Sequence, residues 1–194
     1  MNIISTNCLA GHLYRDLLKC EYKNPFIWTN IWNKDFLYLI EHFKEIDFHN
    51  YEIQKNSNLL LLFKICIDNK VNVEYNHYIF STKYNTPTKI GIDIYYNKIW
   101  EYISEKYEKR LSLMNNNIDL VAIDDFGGDY DINKIYNICK EKQIKLFMCT
   151  DNIPEETNDN CIIRKRFIVE NHGPGPGDIH LKYGDLIKEF LGIK

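Results

Sequence analysis

The chain has 194 residues, 45% hydrophobic and 14% aromatic, with 24 basic and 27 acidic side chains for a formal net charge of −3. That composition excludes a disordered chain, and the near-balanced charge excludes the broad basic field of a general nucleic-acid binder. The longest apolar run, between Leu59 and Phe63, falls far below the roughly 20 residues that span a bilayer.

At the start, Ile3-Ile4, then Asn7-Cys8-Leu9-Ala10-Gly11-His12-Leu13-Tyr14, then Leu17 and Leu18 predict a strand, a tight loop and a helix. In an α/β fold a loop outside the carboxyl end of a strand is where ligands bind. The first helical turn offers backbone N–H groups that suit an anion. Asn7, Gly11, His12 and Tyr14 are therefore candidate ligand-binding or cofactor-binding residues, with a capping role for Asn7 as the alternative. Cys8, at the helix start, is a candidate nucleophile, with His12 or His172 as its base. An inert buried thiol is the competing reading. The six cysteines, at 8, 20, 66, 139, 149 and 161, form no C-x-x-C pair. Structural zinc is not expected, and reduced thiols in a cytoplasmic protein without a signal peptide are.

Pro25 biases Asn24 away from helix. Asn33 is a plausible N-cap, and Phe36, Leu37, Ile40 and Phe43 follow at helical spacing. Residues 46–53 and 58–67 read as strands. Val71, Val73 and Tyr75 alternate with polar residues in a third, and 81–89 reads as a loop. Ile90-Gly91-Ile92-Asp93-Ile94 leads into the longest helix, carried by Trp100, Ile103, Tyr107, Leu111 and Met114 and ended by three asparagines at 115–117. Residues 118–123 predict a strand whose end is marked by Asp124-Asp125. A Gly127-Gly128 loop, a helix with Ile132, Ile135, Tyr136 and Cys139 on one face, and a strand over 144–149 follow. This succession predicts a single three-layer α/β/α domain with a largely parallel or mixed sheet. The tail reads as a polar loop at 151–160, a strand at 161–169, an irregular Gly-Pro stretch and a short helix near 183–191. Residues 151–194 are the one candidate for a small appendage.

Asp124 and Asp125, at the carboxyl end of a buried strand, are candidate catalytic carboxylates. Asp129-Tyr130-Asp131 is a D-x-D after a glycine-rich loop, and paired carboxylates of that kind hold Mg²⁺ or Mn²⁺ on a diphosphate. Asp124 and Asp129 are the candidate ligands, while Asp131 fits an N-cap. His172 opens the Gly-Pro stretch, which is not a P-loop because no Lys-Ser/Thr follows. Arg164-Lys165-Arg166 reads as a solvated strand end in preference to a phosphate clamp.

The stretch Asn7-Cys8-x-x-Gly11-x-x-Tyr14, followed by Pro25-Phe26 and an aromatic helix start at Asp35-Phe36, resembles a bacterial family labelled exopolysaccharide or capsular polysaccharide biosynthesis proteins. The resemblance extends over roughly residues 2–150. It maps an Ile-x-Ile strand to Ile92-Asp93-Ile94 with Tyr95-Tyr96 after it, and a basic helix to Trp100 and Lys109-Arg110. It takes in the strand ending at Asp124-Asp125. Tyr95 stands where the family has His, and the basic pair is only partly kept. The resemblance implies an α/β fold and a role near surface-polysaccharide assembly. The expectation is a metal-assisted transferase acting on a sugar or nucleotide-sugar. Two alternatives are a non-catalytic glycan-binding or partner-binding protein with an exposed aromatic surface, and a Cys-dependent hydrolase or acyltransferase.

Overall fold

A computed structural model describes residues 1–27, 29–55, 63–75, 91–125, 129–166 and 179–193. In chain order these form β1 (Ile3–Ser5), α1 (Leu9–His12), which runs on as a π-helical segment Leu13–Leu18, and α2 (Asn33–His42). A meander follows, with β2 (Tyr51–Lys55), β3 (Phe63–Ile67) and β4 (Val71–Tyr75), then α3 (Gly91–Leu111). The last part holds β5 (Leu120–Asp124), α4 (Ile132–Glu141), β6 (Lys145–Cys149), β7 (Glu156–Thr157), β8 (Cys161–Arg164) and α5 (Ile179–Leu191).

The main sheet has the order β1-β5-β6-β8-β7. Its first four strands are parallel neighbours, and β7 runs antiparallel on the edge. Strand side chains alternate between faces, and the apolar runs of these strands are buried on both. Ile4, Val121, Ile123, Leu146, Met148 and Ile163 pack toward α2, α3, α4 and the meander. Ile3, Leu120, Ala122, Phe147, Cys149 and Ile162 pack toward α1, the π segment and α5. The protein is thus an α/β fold with helices on both faces of a mixed, mostly parallel sheet, as the succession of elements predicts.

Several local expectations change. Strand β2 begins at Tyr51, because Phe43–Glu45 continues α2 as a 3₁₀ turn and Ile46 is buried outside any strand. Residues 58–62 and 81–89 lie outside the described residues. The Ile92-Asp93-Ile94 strand implied by the resemblance is instead the first turn of α3. A run that short has no period long enough to separate strand from helix. Asn33 does not cap α2. Its Oδ1 accepts from the Asp131 backbone N–H at 3.1 Å, tying the start of α2 to that of α4. Asp131 is the N-cap of α4, accepting from the Lys134 N–H at 3.0 Å. In the tail, β8 is a strand of the main sheet and α5 covers one of its faces.

Candidate functional site

The strands end at the same edge of the sheet because they are parallel. After β1 the chain turns into α1 on one face, and after the neighbouring β5 it turns into α4 on the opposite face. In open α/β sheets such a divergence is where a ligand crevice forms, outside the carboxyl ends of the two strands. Asn7 stands on one side and Asp124 on the other, with the Asn7 Nδ2 donating to the Asp124 carbonyl at 3.4 Å.

Asp124 and Asp125 are each 7% exposed. Burial pushes the Asp124 carboxyl up to about 6, against the pull of Arg166, with Asp125 adding to the rise. Asp125 is differently placed: its Oδ2 accepts from the Thr150 hydroxyl at 2.6 Å and the Asn152 Nδ2 at 2.7 Å. Thr150 and Asn152 follow β6, so the third loop of this edge holds the second carboxyl. The Thr150 N–H donates to the Arg164 carbonyl at 2.9 Å and ties that loop to the end of β8. Arg166, just past β8, is close enough to act on both Asp124 and Cys149. Tyr130, before α4, donates to the Ile31 carbonyl at 3.1 Å and stands against Thr6 and Asp125. The edge thus combines a carboxyl raised to about 6, a second one pinned by two donors, and a guanidinium.

The opening turn serves mainly structure. Asn7 Oδ1 accepts from the Leu9 N–H and Ser5 Oγ from the Ala10 N–H, both at 3.0 Å. Those first-turn donors are consumed by side chains and do not form the expected anion cradle. Cys8 is buried, and burial pushes its thiol up to about 11, opposite to the shift of an activated nucleophile. Tyr14 is fully buried and donates to the Met1 carbonyl at 2.5 Å while accepting from the Ile3 N–H at 3.1 Å. It is a strut of the first loop and has no surface for a cofactor. Gly11 is buried in the same layer. His12 pairs with Asp16 at 3.0 Å and stacks on His180. Burial holds its imidazole below the ordinary value. His172 and the Gly-Pro stretch lie outside the described residues.

The Mg²⁺ or Mn²⁺ expected at Asp124 and Asp129 would have to take its remaining ligands from the diphosphate and water. Asp129 is exposed, and no three His, Cys, Asp or Glu ligand atoms including either residue converge among the described residues. The basic pair on α3 also lies apart: Arg110 is buried and donates to the Ile27 carbonyl at 3.3 Å, and Lys109 faces Glu21 at 3.7 Å. Two surface grooves, of about 300 and 420 Å³, sit at the amino edge of the sheet beside Asn160 and Asn117 and are remote from these carboxyls.

Sequence reasoning missed Thr150 and Asn152 and set Arg166 aside. The rule that singled out Asp124, polar residues at the carboxyl end of a buried strand, applies equally to Thr150-Asp151-Asn152. Arg166 lies in the basic run 164–166, whose phosphate-clamp reading ranks below a solvated strand end. No helix among the described residues is long and apolar enough to cross a membrane. No family model matches the chain, and no curated protein matches it either.

Proposed function

We propose that the protein is a transferase of bacterial surface-polysaccharide assembly, working in the cytoplasm on a sugar or nucleotide-sugar at the carboxyl edge of β1 and β5. The observation that carries the reading is the meeting of the Asn7 turn with the Asp124-Asp125 pair, across strands whose chains diverge to opposite faces. The resemblance of the opening motif to exopolysaccharide biosynthesis proteins supports the substrate class.

In this reading Asp124, with a carboxyl raised to about 6, takes the proton of an acceptor hydroxyl as that oxygen attacks the sugar. Arg166 faces the departing phosphate and stabilises its charge. Asp125, held by Thr150 and Asn152, keeps the loop after β5 in place. This reading runs without a metal, since among the described residues no third His, Cys, Asp or Glu joins Asp124 or Asp129. Cys8 has no part in it, which removes the support for a Cys-dependent hydrolase. The aromatic-surface alternative also lacks support: Trp32 is the one exposed Phe, Tyr or Trp among the described residues.

The test is calorimetry with a panel of nucleotide-sugars at neutral pH, with and without chelator. One member should bind without added metal. Arg166→Gln should weaken it about 10–100-fold, the loss of one charged hydrogen bond, and Asp124→Asn should abolish transfer while sparing binding. Silence across the whole panel would refute the reading.

A further inference from the structure

Away from the crevice, the end of α1, the π segment and the start of α5 bring together His12, Asp16 and His180. Among the described residues this is the one group of three or more His, Cys, Asp or Glu whose ligand atoms converge, all within 4.8 Å of one another. The His12 Nδ1 lies 3.0 Å and the His180 Nε2 3.8 Å from the Asp16 Oδ2. A tetrahedral ion with bonds of about 2.0–2.2 Å sets its ligand atoms about 3.3 Å apart, between those two distances. The two imidazoles stack with centroids 5.6 Å apart and planes 12° from parallel.

We propose that His12, Asp16 and His180 bind a first-row divalent metal ion, Zn²⁺ foremost, with a fourth coordination position open to solvent. Three features support it beyond the ligand types. The π-helical turns over Leu13–Leu18 are an irregularity of a kind frequent at functional sites, and they carry Asp16. Gly184 lets α5 close on that segment, since a Cβ there would lie 2.8 Å from Leu17 Cδ1. His180 is one helical turn earlier on the same face, so the close approach delivers it to Asp16. Finally, the side chains of His12, Asp16 and His180 are only 20%, 25% and 12% exposed, so the three ligand atoms are largely shielded from water.

A cation already stands at the focus. The Arg15 Nε and a terminal nitrogen reach the Asp16 carboxylate at 2.6 and 2.8 Å, and that terminal nitrogen lies 3.3 Å from the His12 Nδ1. Arg15 is 53% exposed and can swing into solvent as the ion enters. The adjoining groove, about 550 Å³ and lined by Arg15, Lys19 and Lys182 together with Asp16 and Asp185, gives the cluster an opening to solvent. This site shares no residue with the transferase reading, so either can fail alone.

The experiment is a Co²⁺ titration of the full chain followed by visible absorption, with a parallel Zn²⁺ calorimetric titration. Cys20→Ser is the background, because Cys20 is the exposed thiol nearby. One equivalent should bind with tetrahedral d–d bands, and Zn²⁺ should raise the melting temperature. His12→Gln and His180→Gln should each weaken binding at least about tenfold and cancel the thermal shift, whereas Arg15→Gln should bind at least as tightly. Circular dichroism of the metal-free variants checks that they fold. No stoichiometric binding at about 100 μM metal, or binding undiminished in both folded histidine variants, would overturn the proposal.

Discussion

Asp124 holds a buried carboxyl whose protonated form the fold favours, raised from 3.8 to about 6 mainly by burial. Folding therefore takes up a proton there. The contribution to stability is complete below the unfolded value and disappears as pH rises through about 6. Asn carries no charge to desolvate, so Asp124→Asn should match the wild type near pH 4 and exceed it by up to about 3 kcal/mol at pH 8. Urea melts at the two pH values read this directly, and a variant less stable at pH 8 would contradict the burial argument. Tyr14 makes the opposite case. Its hydroxyl bridges the Met1 carbonyl, the Ile3 N–H and the Asn24 side chain, and Asn24 in turn accepts from the Phe26 N–H at 3.0 Å. Tyr14→Phe strands buried backbone groups and should cost about 1–3 kcal/mol in denaturant melts. Ligand affinity at the crevice should stay unchanged. The motif that suggested ligand binding at Tyr14 is in fact a folded strut, because an aromatic residue one turn into a helix points back over the strand before it.

Among the elements, α4 is the most legible. Ile132, Ile135, Ile138 and Cys139 are buried at helical spacing, and Asp131 caps the first turn. Asp131→Ala should lower stability by about 0.5–2 kcal/mol in thermal melts, with no loss of metal or sugar binding. The opening helix was legible only in part. Its apolar positions follow a 3.6-residue period closely enough to predict a helix, yet the chain adopts π turns from Leu13 and ends at Lys19 in a left-handed conformation, φ 50°. Nothing local in Leu-Tyr-Arg-Asp-Leu-Leu demands that widening. The widened segment lies where α5 packs closely at Gly184 against Leu17.

For the molecule as a whole, the central sheet carries an apolar layer on each face, so neither helical layer has a core without it. Phe147, fully buried on the α5 side, illustrates the dependence. Phe147→Ala should cost about 3–5 kcal/mol and still melt in one transition by circular dichroism and tryptophan fluorescence together. Separate transitions would mean that the meander and the parallel sheet fold independently. The amino acids by themselves determined the layers. Unbroken apolar runs in 120–123 and 146–149, helical spacing in α2 and α4, and polar residues at strand ends are local consequences of backbone geometry, and they singled out Asp124 and Asp125 without coordinates. Which of those polar residues meet was a tertiary decision. Asn7 reaches Asp124 across 117 positions and His180 reaches Asp16 across 164, and contacts that distant depend on strand order and on which face each helix covers. Local periodicity carries no record of either choice.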